Sequence, residues 1–324
     1  QELRDGTSGW SAGGTSSSAA DVQTTALVLQ ALGKCLPASL AGLDVEFLLQ
    51  GWSPHAADRD AITVLAGRSE DTGPARIAAG LSPATRLLSA ISRGLNWLLR
   101  AQRSDGGWGQ FALSRSRRQQ QEQFSRDGLP PDESSVVLTG LVMEVLGQLG
   151  LDTRQPSVQQ AIRFCWLKQE SAAGYWPGLP GETVREATCS AMRGLAAVGC
   201  PGRDSRLRLA AAWLCAREQN GRWPAEEAGV PARRQDSSRS EERRSVPPAP
   251  VATANAMLAL LADGSPVPAA TRAAAYLLEA RQADGAWTAQ AAACRTSAGT
   301  VMQHSPLSAA ILPLRALARF RHLS

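Results

Sequence analysis

Apolar residues recur at helical spacing in two alternating kinds of segment. In the first kind the apolar stripe is dense: residues 21–33, 134–149, 183–198, 251–262 and 306–320. In the second kind a stripe carrying an aromatic runs into a polar residue, a Gly and then a Trp. The copies are "GLNWLLRAQRSDGGWG" (94–109), "RFCWLKQESAAGYWPG" (163–178), "AAWLCAREQNGRWPA" (211–225) and "AYLLEARQADGAWTA" (275–289), and "ELRDGTSGW" (2–10) reads as the end of another. Apolar positions three and four apart predict amphipathic helices, so the chain is expected to be all-α. A Gly after Asp or Asn (Gly106, Gly221, Gly285) supplies the positive φ that ends a helix at low cost. The Trp beyond it has a large face to bury, and Trp108, Trp176, Trp223 and Trp287 are expected to staple the repeats. The Gln102 amide is placed to stack on or donate to an indole.

Each helix pair leaves an apolar face that only its neighbour can cover, so the pairs must stack. Five of them suit a curved or closed αα-solenoid, and the expected architecture is an αα-barrel (toroid). Two segments break the rhythm. Residues 41–86, with "GWSPHAADRD" and a Gly/Ser-rich run, read as an insertion, and residues 111–130 read as a polar Gln/Arg-rich loop. Neither offers a boundary, so residues 1–324 are read as a single domain.

Composition narrows the function classes. Hydrophobic residues make up 44% of the 324, mostly the helix formers Ala and Leu, while aromatics are only 5%. No apolar run approaches the roughly 18 residues of a membrane-spanning helix, which leaves peripheral membrane contact open. The net charge of +5 comes mainly from arginines at 115–127, 203–208 and 232–244. Acidic residues interleave with them and no aromatic stacking platform accompanies them, so they read as solvated loops rather than a nucleic-acid groove. The six cysteines form no CxxC pair and mostly lie in apolar helical patterns, which suits buried thiols in a reducing compartment. Cys294 and His304 lack zinc spacing, His55 and His322 sit in a loop and at the chain end, and no metal is expected. Residue 1 is Gln rather than Met, so the N-terminus is expected to lie upstream and a leader cannot be judged.

The most informative stretch is "ADVQTTALVLQAL" (20–32), where Asp21 precedes the stripe Val22, Ala26, Leu29, Leu32. An ordinary reading makes Asp21 a helix N-cap accepting from the Thr24 amide. The other reading is a catalytic motif that has lost its acid.

The repeats resemble the QW motifs of class II terpene cyclases, specifically the squalene–hopene cyclase family, over nearly the whole chain and in the family's order. "GLNWLLRAQRSDGGWGQF" is similar to the family's "GVxWLLxMQxxxGGWxAF", "LTGLVMEVLGQLG" (138–150) to "VTGRVLEALGxLG", and "AYLLEARQADGAW…ILPLRALARF" to its C-terminal "EYLLxTQxxDGxW…VFPLxALGRY". Arg217 and Arg281 stand where the motif places Gln. The resemblance implies the C-terminal one of two αα-barrels that enclose an apolar cavity. The reaction implied is cofactor-free, proton-initiated cyclisation of a polyene such as squalene, in triterpene and hopanoid metabolism. It also implies a polyprenyl or triterpene ligand and a cytoplasmic protein in peripheral contact with one membrane leaflet. The N-terminal barrel is expected to be missing from this chain and to be supplied by the part of the protein upstream of residue 1, by a partner chain or by a second copy.

The family starts the reaction with an acid from an Asp-x-Asp-Asp motif followed by Thr-Ala, kept neutral yet strong by neighbouring groups. Aligned through Thr25-Ala26, Asp21 matches the first Asp, Gln23 falls on the proton donor and Thr24 on the last Asp. A carboxamide offers no proton of useful acidity. The residues that support the family's acid map to Val137 and Leu141, and its cation-stabilising aromatics map to Val301, Ser305 and Ser308. Pro180 stands where a cavity Trp is expected, and the chain has only two Tyr and five Phe to compensate. Trp10 either staples a repeat or faces the cavity near Asp21. Three functions therefore stand side by side: an isomerase or cyclase of the family, an inactive member binding an apolar lipid or a protein, and a prenyltransferase β-subunit. The last needs an Asp/Cys/His zinc site, and no convincing spacing for one is present.

Overall fold

The computed structural model describes residues 9–10, 20–35, 83–111, 132–180, 182–224, 249–262, 268–287, 293–295, 301–303 and 306–323. Of these, residues 83–85, 293–295, 301–303 and 306–310 contribute backbone only. Nine helices are described: α1 Val22–Lys34, α2 Pro83–Ala101, α3 Val136–Gln148, α4 Pro156–Lys168, α5 Val184–Ala197, α6 Ser205–Cys215, α7 Ala249–Leu260, α8 Pro268–Glu279 and α9 Pro306–Leu323. A ribbon of two three-residue antiparallel strands, β1 Ala293–Arg295 and β2 Val301–Gln303, precedes α9. The expected insertion at 41–86 lies outside the described residues up to 82, and the loop at 111–130 does so from 112.

The helices form the two layers expected of an αα-barrel. The dense-stripe segments became the inner helices α1, α3, α5, α7 and α9, in contact in the order α1–α3–α5–α7–α9. Helices α2, α4, α6 and α8 lie outside, each packed on the inner helix it precedes or follows. Helix α3 buries nine of its residues and α7 ten, because each has inner neighbours on both sides and an outer helix behind. The outer helices bury one face only, and Leu167 and Leu278 on the opposite faces are exposed. Helices α3 and α5 approach closely where side chains are missing: a Cβ on Gly140 would come within 2.3 Å of the Ser190 carbonyl oxygen.

One joint, used repeatedly, builds the barrel. After each outer helix the chain turns at a Gly with positive φ, at Gly106 (89°), Gly174 (85°), Gly221 (79°) and Gly285 (86°). The Trp that follows folds back, and its Nε1 donates to a carbonyl of the helix just ended. Trp108 reaches Leu98 at 2.7 Å, Trp176 reaches Cys165 at 2.7 Å, Trp223 reaches Leu214 at 2.8 Å and Trp287 reaches Leu277 at 2.7 Å. Three of these indoles are fully buried and the fourth nearly so. Each contributes at most roughly 4–6 kcal/mol by area alone. The Trp backbone N–H then donates to a threonine in the first turns of the next inner helix. The pairs are Trp108 to Thr139 (3.0 Å), Trp176 to Thr188 (3.1 Å) and Trp223 to Thr253 (3.1 Å). The N-terminal copy keeps this link, with Trp10 donating to Thr25 Oγ1 at 2.9 Å.

Gln102 requires a correction. Its amide donates to carbonyls rather than to an indole. Nε2 donates to the Gly106 carbonyl at 2.9 Å and to the Ser157 carbonyl at the start of α4 at 2.8 Å, tying the turn to the next outer helix. Gln169 does the same with Gly174 and Arg206. The turn and the next helix both present carbonyls, and a primary amide is a two-donor group that can bridge them. In the third copy Arg217 lies over the Trp213 ring instead, and the link passes to Glu218, which accepts from Gly221 N and pairs with Arg272 of α8.

The cysteines follow their helices. Cys165 and Cys189 are buried, Cys200 and Cys215 half-buried, and Cys35 exposed past the end of α1. Burial pushes the Cys165 thiol up to about 12. Of the three arginine-rich stretches only 203–208 is described. There Arg206 pairs with Asp204 and stacks on Trp166, so it braces its own helix end.

Candidate functional site

Since a repeat Trp is tied to the first turns of each of α1, α3, α5 and α7, these N-termini open at one end of the barrel. The sequence-derived acid motif lies there, at the start of α1. Asp21 is buried, 6% exposed, and caps α1: its Oδ1 accepts from Thr24 N at 2.7 Å and its own N–H donates to the Trp10 carbonyl at 2.9 Å. This arrangement is not peculiar to α1. Ser135 caps α3 by accepting from Leu138 N while its N–H donates to the Trp108 carbonyl. Thr183 caps α5 by accepting from Glu186 N, with the Glu186 carboxylate returning to the Thr183 N–H in a capping box. Asp21 is thus the α1 version of a cap that α3 and α5 also carry.

Gln23 and Thr24 follow on the first turn, both half-buried. Neither carries an acidic proton. Val137 and Leu141 stand one turn apart on α3, half-buried and packed against the core. They offer no hydrogen bond to a carboxylic acid on α1. The loop after Trp108 seals the flank of this end, with Gln110 accepting from Val22 N at 2.9 Å and Phe111 bridging to Asp21. Asp132 clamps that loop by accepting from Gln110 N, Phe111 N and Arg103.

Trp10 makes the repeat's backbone link, while its ring lies against Gly94 of α2, where a Cβ would clash at 2.4 Å. It is half-buried, and its backbone takes the position of the other repeat tryptophans. Pro180 is exposed on the loop before α5. Val301 and Ser308 fall in β2 and α9 by backbone; their side chains, like all of Ser305 and His304, lie outside the described residues.

Sequence reasoning missed two sets of residues here. The first is the threonine series Thr25, Thr139, Thr188 and Thr253, legible as a Thr early in each of four inner helices. The second is Glu182, in the loop before α5. Burial pushes its carboxyl above the ordinary range, although Ser135 Oγ donates to one oxygen and Leu179 N to the other at 2.9 Å. With both oxygens engaged it acts as a loop clamp, the counterpart of Asp132. Among the described residues, no group of three or more His, Cys, Asp or Glu side chains is arranged to hold a metal ion. No helix among them is long and apolar enough to cross a membrane.

With this geometry in place, the comparisons with known proteins assign the family. Residues 77–322 match the squalene-hopene cyclase C-terminal domain, and the chain belongs to that family. It is similar to the squalene–hopene cyclase of Bradyrhizobium diazoefficiens, 29% identical over 239 residues, covering 72% of this chain and 35% of that protein. A probable squalene–hopene cyclase of Sinorhizobium fredii is 28% identical, with 72% and 36% covered. The chain thus spans about a third of the length of these relatives. Among solved structures, a variant of the type II terpene cyclase MstE from Scytonema, in complex with geranylgeranyl dihydroxybenzoate, superposes with a TM-score of 0.57. That match covers 98% of this chain and 78% of the other at 14% identity, and it shows the shared αα-barrel fold.

Proposed function

We propose that this chain is the C-terminal barrel of a squalene–hopene cyclase-like protein of triterpene or polyprenyl metabolism, and that it holds an apolar polyprenyl chain at the end where the inner helices begin. Family membership supports the ligand class, and the bound prenyl compound of the MstE structure agrees with it. The family reaction is proton-initiated cyclisation. In this chain Gln23 occupies the donor position, and Asp21 is committed to capping α1. That occupied cap is the observation that carries the reading: the barrel retains the family's architecture without a free acid at the motif's donor position.

A monotopic contact with a membrane leaflet, and a second barrel supplied by a preceding segment, a partner chain or another copy, belong to the same reading. The test is incubation of the purified chain with squalene and analysis of the extracted lipid by gas chromatography with mass detection. The expected result is unreacted squalene. Hopene or diplopterol would overturn the assignment of Gln23.

A further inference from the structure

Two turns below the acid-motif end, the five inner helices are joined by one polar cluster. Glu144 of α3 is 8% exposed and receives two arginines: Arg193 Nε of α5 at 3.1 Å and Arg315 Nη2 of α9 at 2.8 Å. Arg193 also donates to Asn255 Oδ1 of α7 at 2.7 Å. Gln30 of α1, itself 8% exposed, donates to Glu144 and accepts from Arg315, both at 3.4 Å. Burial alone would raise the Glu144 carboxyl, yet the two guanidinium groups hold it below the ordinary carboxylate value.

Because all five side chains meet, they mark the face that each helix turns toward the barrel axis. One turn nearer the N-termini, helical spacing puts Leu27, Leu141, Cys189, Val251 and Ile311 toward the same side, with Leu27 and Ile311 about half exposed and Cys189 and Val251 buried. Above these come Gln23 and Val137, seven residues from Gln30 and Glu144, which places the cluster roughly 10 Å below the motif positions. A buried ion network rarely improves on apolar packing as a source of stability, so its effect on the shape and polarity of the barrel interior is the more informative one.

We infer that the Glu144–Arg193–Arg315 cluster, with Gln30 and Asn255, is a charged floor that sets ligand length by closing the apolar section of the barrel about two helical turns below Gln23. The section above it takes about two prenyl units of extended chain, each roughly four C–C bonds long. The ligand class is thus a short linear isoprenoid end entering from the Gln23 side, with the rest of the molecule remaining outside this barrel. This inference rests on the polyprenyl reading above and adds the length limit to it.

The test titrates the chain with geraniol, farnesol and geranylgeraniol by isothermal calorimetry. A further prenyl unit that became buried would raise affinity more than about a hundredfold, at roughly fourfold per methylene. The floor predicts instead that farnesol and geranylgeraniol bind within about tenfold of geraniol, less than one further buried unit would give. Removing all three charges together (Glu144→Leu, Arg193→Met, Arg315→Met) leaves no charge unpaired and should raise the affinity for geranylgeraniol at least about tenfold relative to geraniol. If that variant does not fold, the wild-type series decides alone. Affinity that climbs with each added unit in the wild type, or a folded triple variant that keeps the plateau, would overturn the floor while sustaining the polyprenyl reading. Absence of binding at every length would sink the polyprenyl reading and the floor with it.

Discussion

Replacing Thr139 by Val tests the joint on which the barrel is built. The substitution keeps the branched shape and removes the hydroxyl that accepts from the Trp108 N–H at 3.0 Å. Both residues are fully buried, so neither water nor a mobile side chain is at hand to replace the lost acceptor. An orphaned buried amide costs about 1–3 kcal/mol, whereas an ordinary hydrogen bond nets closer to 1. A central value of about 2 kcal/mol lowers Tm by roughly 4–8 °C in a domain of around 200 residues, and by somewhat less in a larger one. The assay is urea unfolding followed by far-ultraviolet circular dichroism, with hydrogen exchange at the Trp108 amide as a local readout. Thr188→Val and Thr253→Val break bonds of 3.1 Å to Trp176 and Trp223 and should cost similar amounts. Stability within about 0.5 kcal/mol of wild type at all three sites would refute the reasoning, because the threonines would then be passengers.

Three further predictions concern the floor, the turns and the motif. Glu144→Ala leaves two half-buried arginines without their shared carboxylate and should cost about 1.5–3 kcal/mol in urea unfolding, less than a fully buried pair would. Since the folded Glu144 carboxyl lies below its ordinary value of 4.5, its contribution is complete above that pH and is lost as pH falls through the folded value. The Glu144→Gln variant should therefore lose less stability than wild type between about pH 5 and pH 3. Gly285→Ala meets nothing within 4 Å and should cost only the roughly 1–2 kcal/mol of a left-handed residue, read as a modest drop in Tm. Gly106→Ala would bring a Cβ to 2.4 Å from the Gln160 carbonyl oxygen and should cost more; equal effects would refute the packing argument. Rebuilding the acid motif with Gln23→Asp and Thr24→Asp should still yield no cyclic product from squalene, because Val137 and Leu141 give a new acid no polar support. Ring formation by that variant would show that the motif alone was missing.

Short-range signals were legible in the sequence, and long-range partners were not. The five inner helices fall within a few residues of the dense apolar stripes, and the Gly turns have the positive φ that Asp-Gly and Asn-Gly announce. Asp21 caps α1 through Thr24 N, as its position before the stripe implied. In these cases pattern and structure are separated by at most one helical turn. The donor target of Gln102 was missed because Ser157 lies 55 residues away, and nothing local distinguishes a carbonyl from an indole as the target of an amide N–H. The floor was invisible for the same reason: Arg315 and Gln30 are 285 residues apart, and each alone looks like a solvated residue on an apolar helix. The threonine series was visible in principle, since the residue recurs early in four inner helices, but Thr there is also an ordinary filler of buried turns.

The central proposal is that the acid-motif position, occupied here by Gln23, delivers no proton to an alkene. Incubation with squalene in D2O, followed by mass spectrometry of the recovered lipid, measures that step directly, because protonation by an exchanged acid leaves deuterium on carbon. The account predicts squalene recovered with no carbon-bound deuterium above a protein-free control. Enrichment by one deuterium, in squalene or in any ring product, would contradict it.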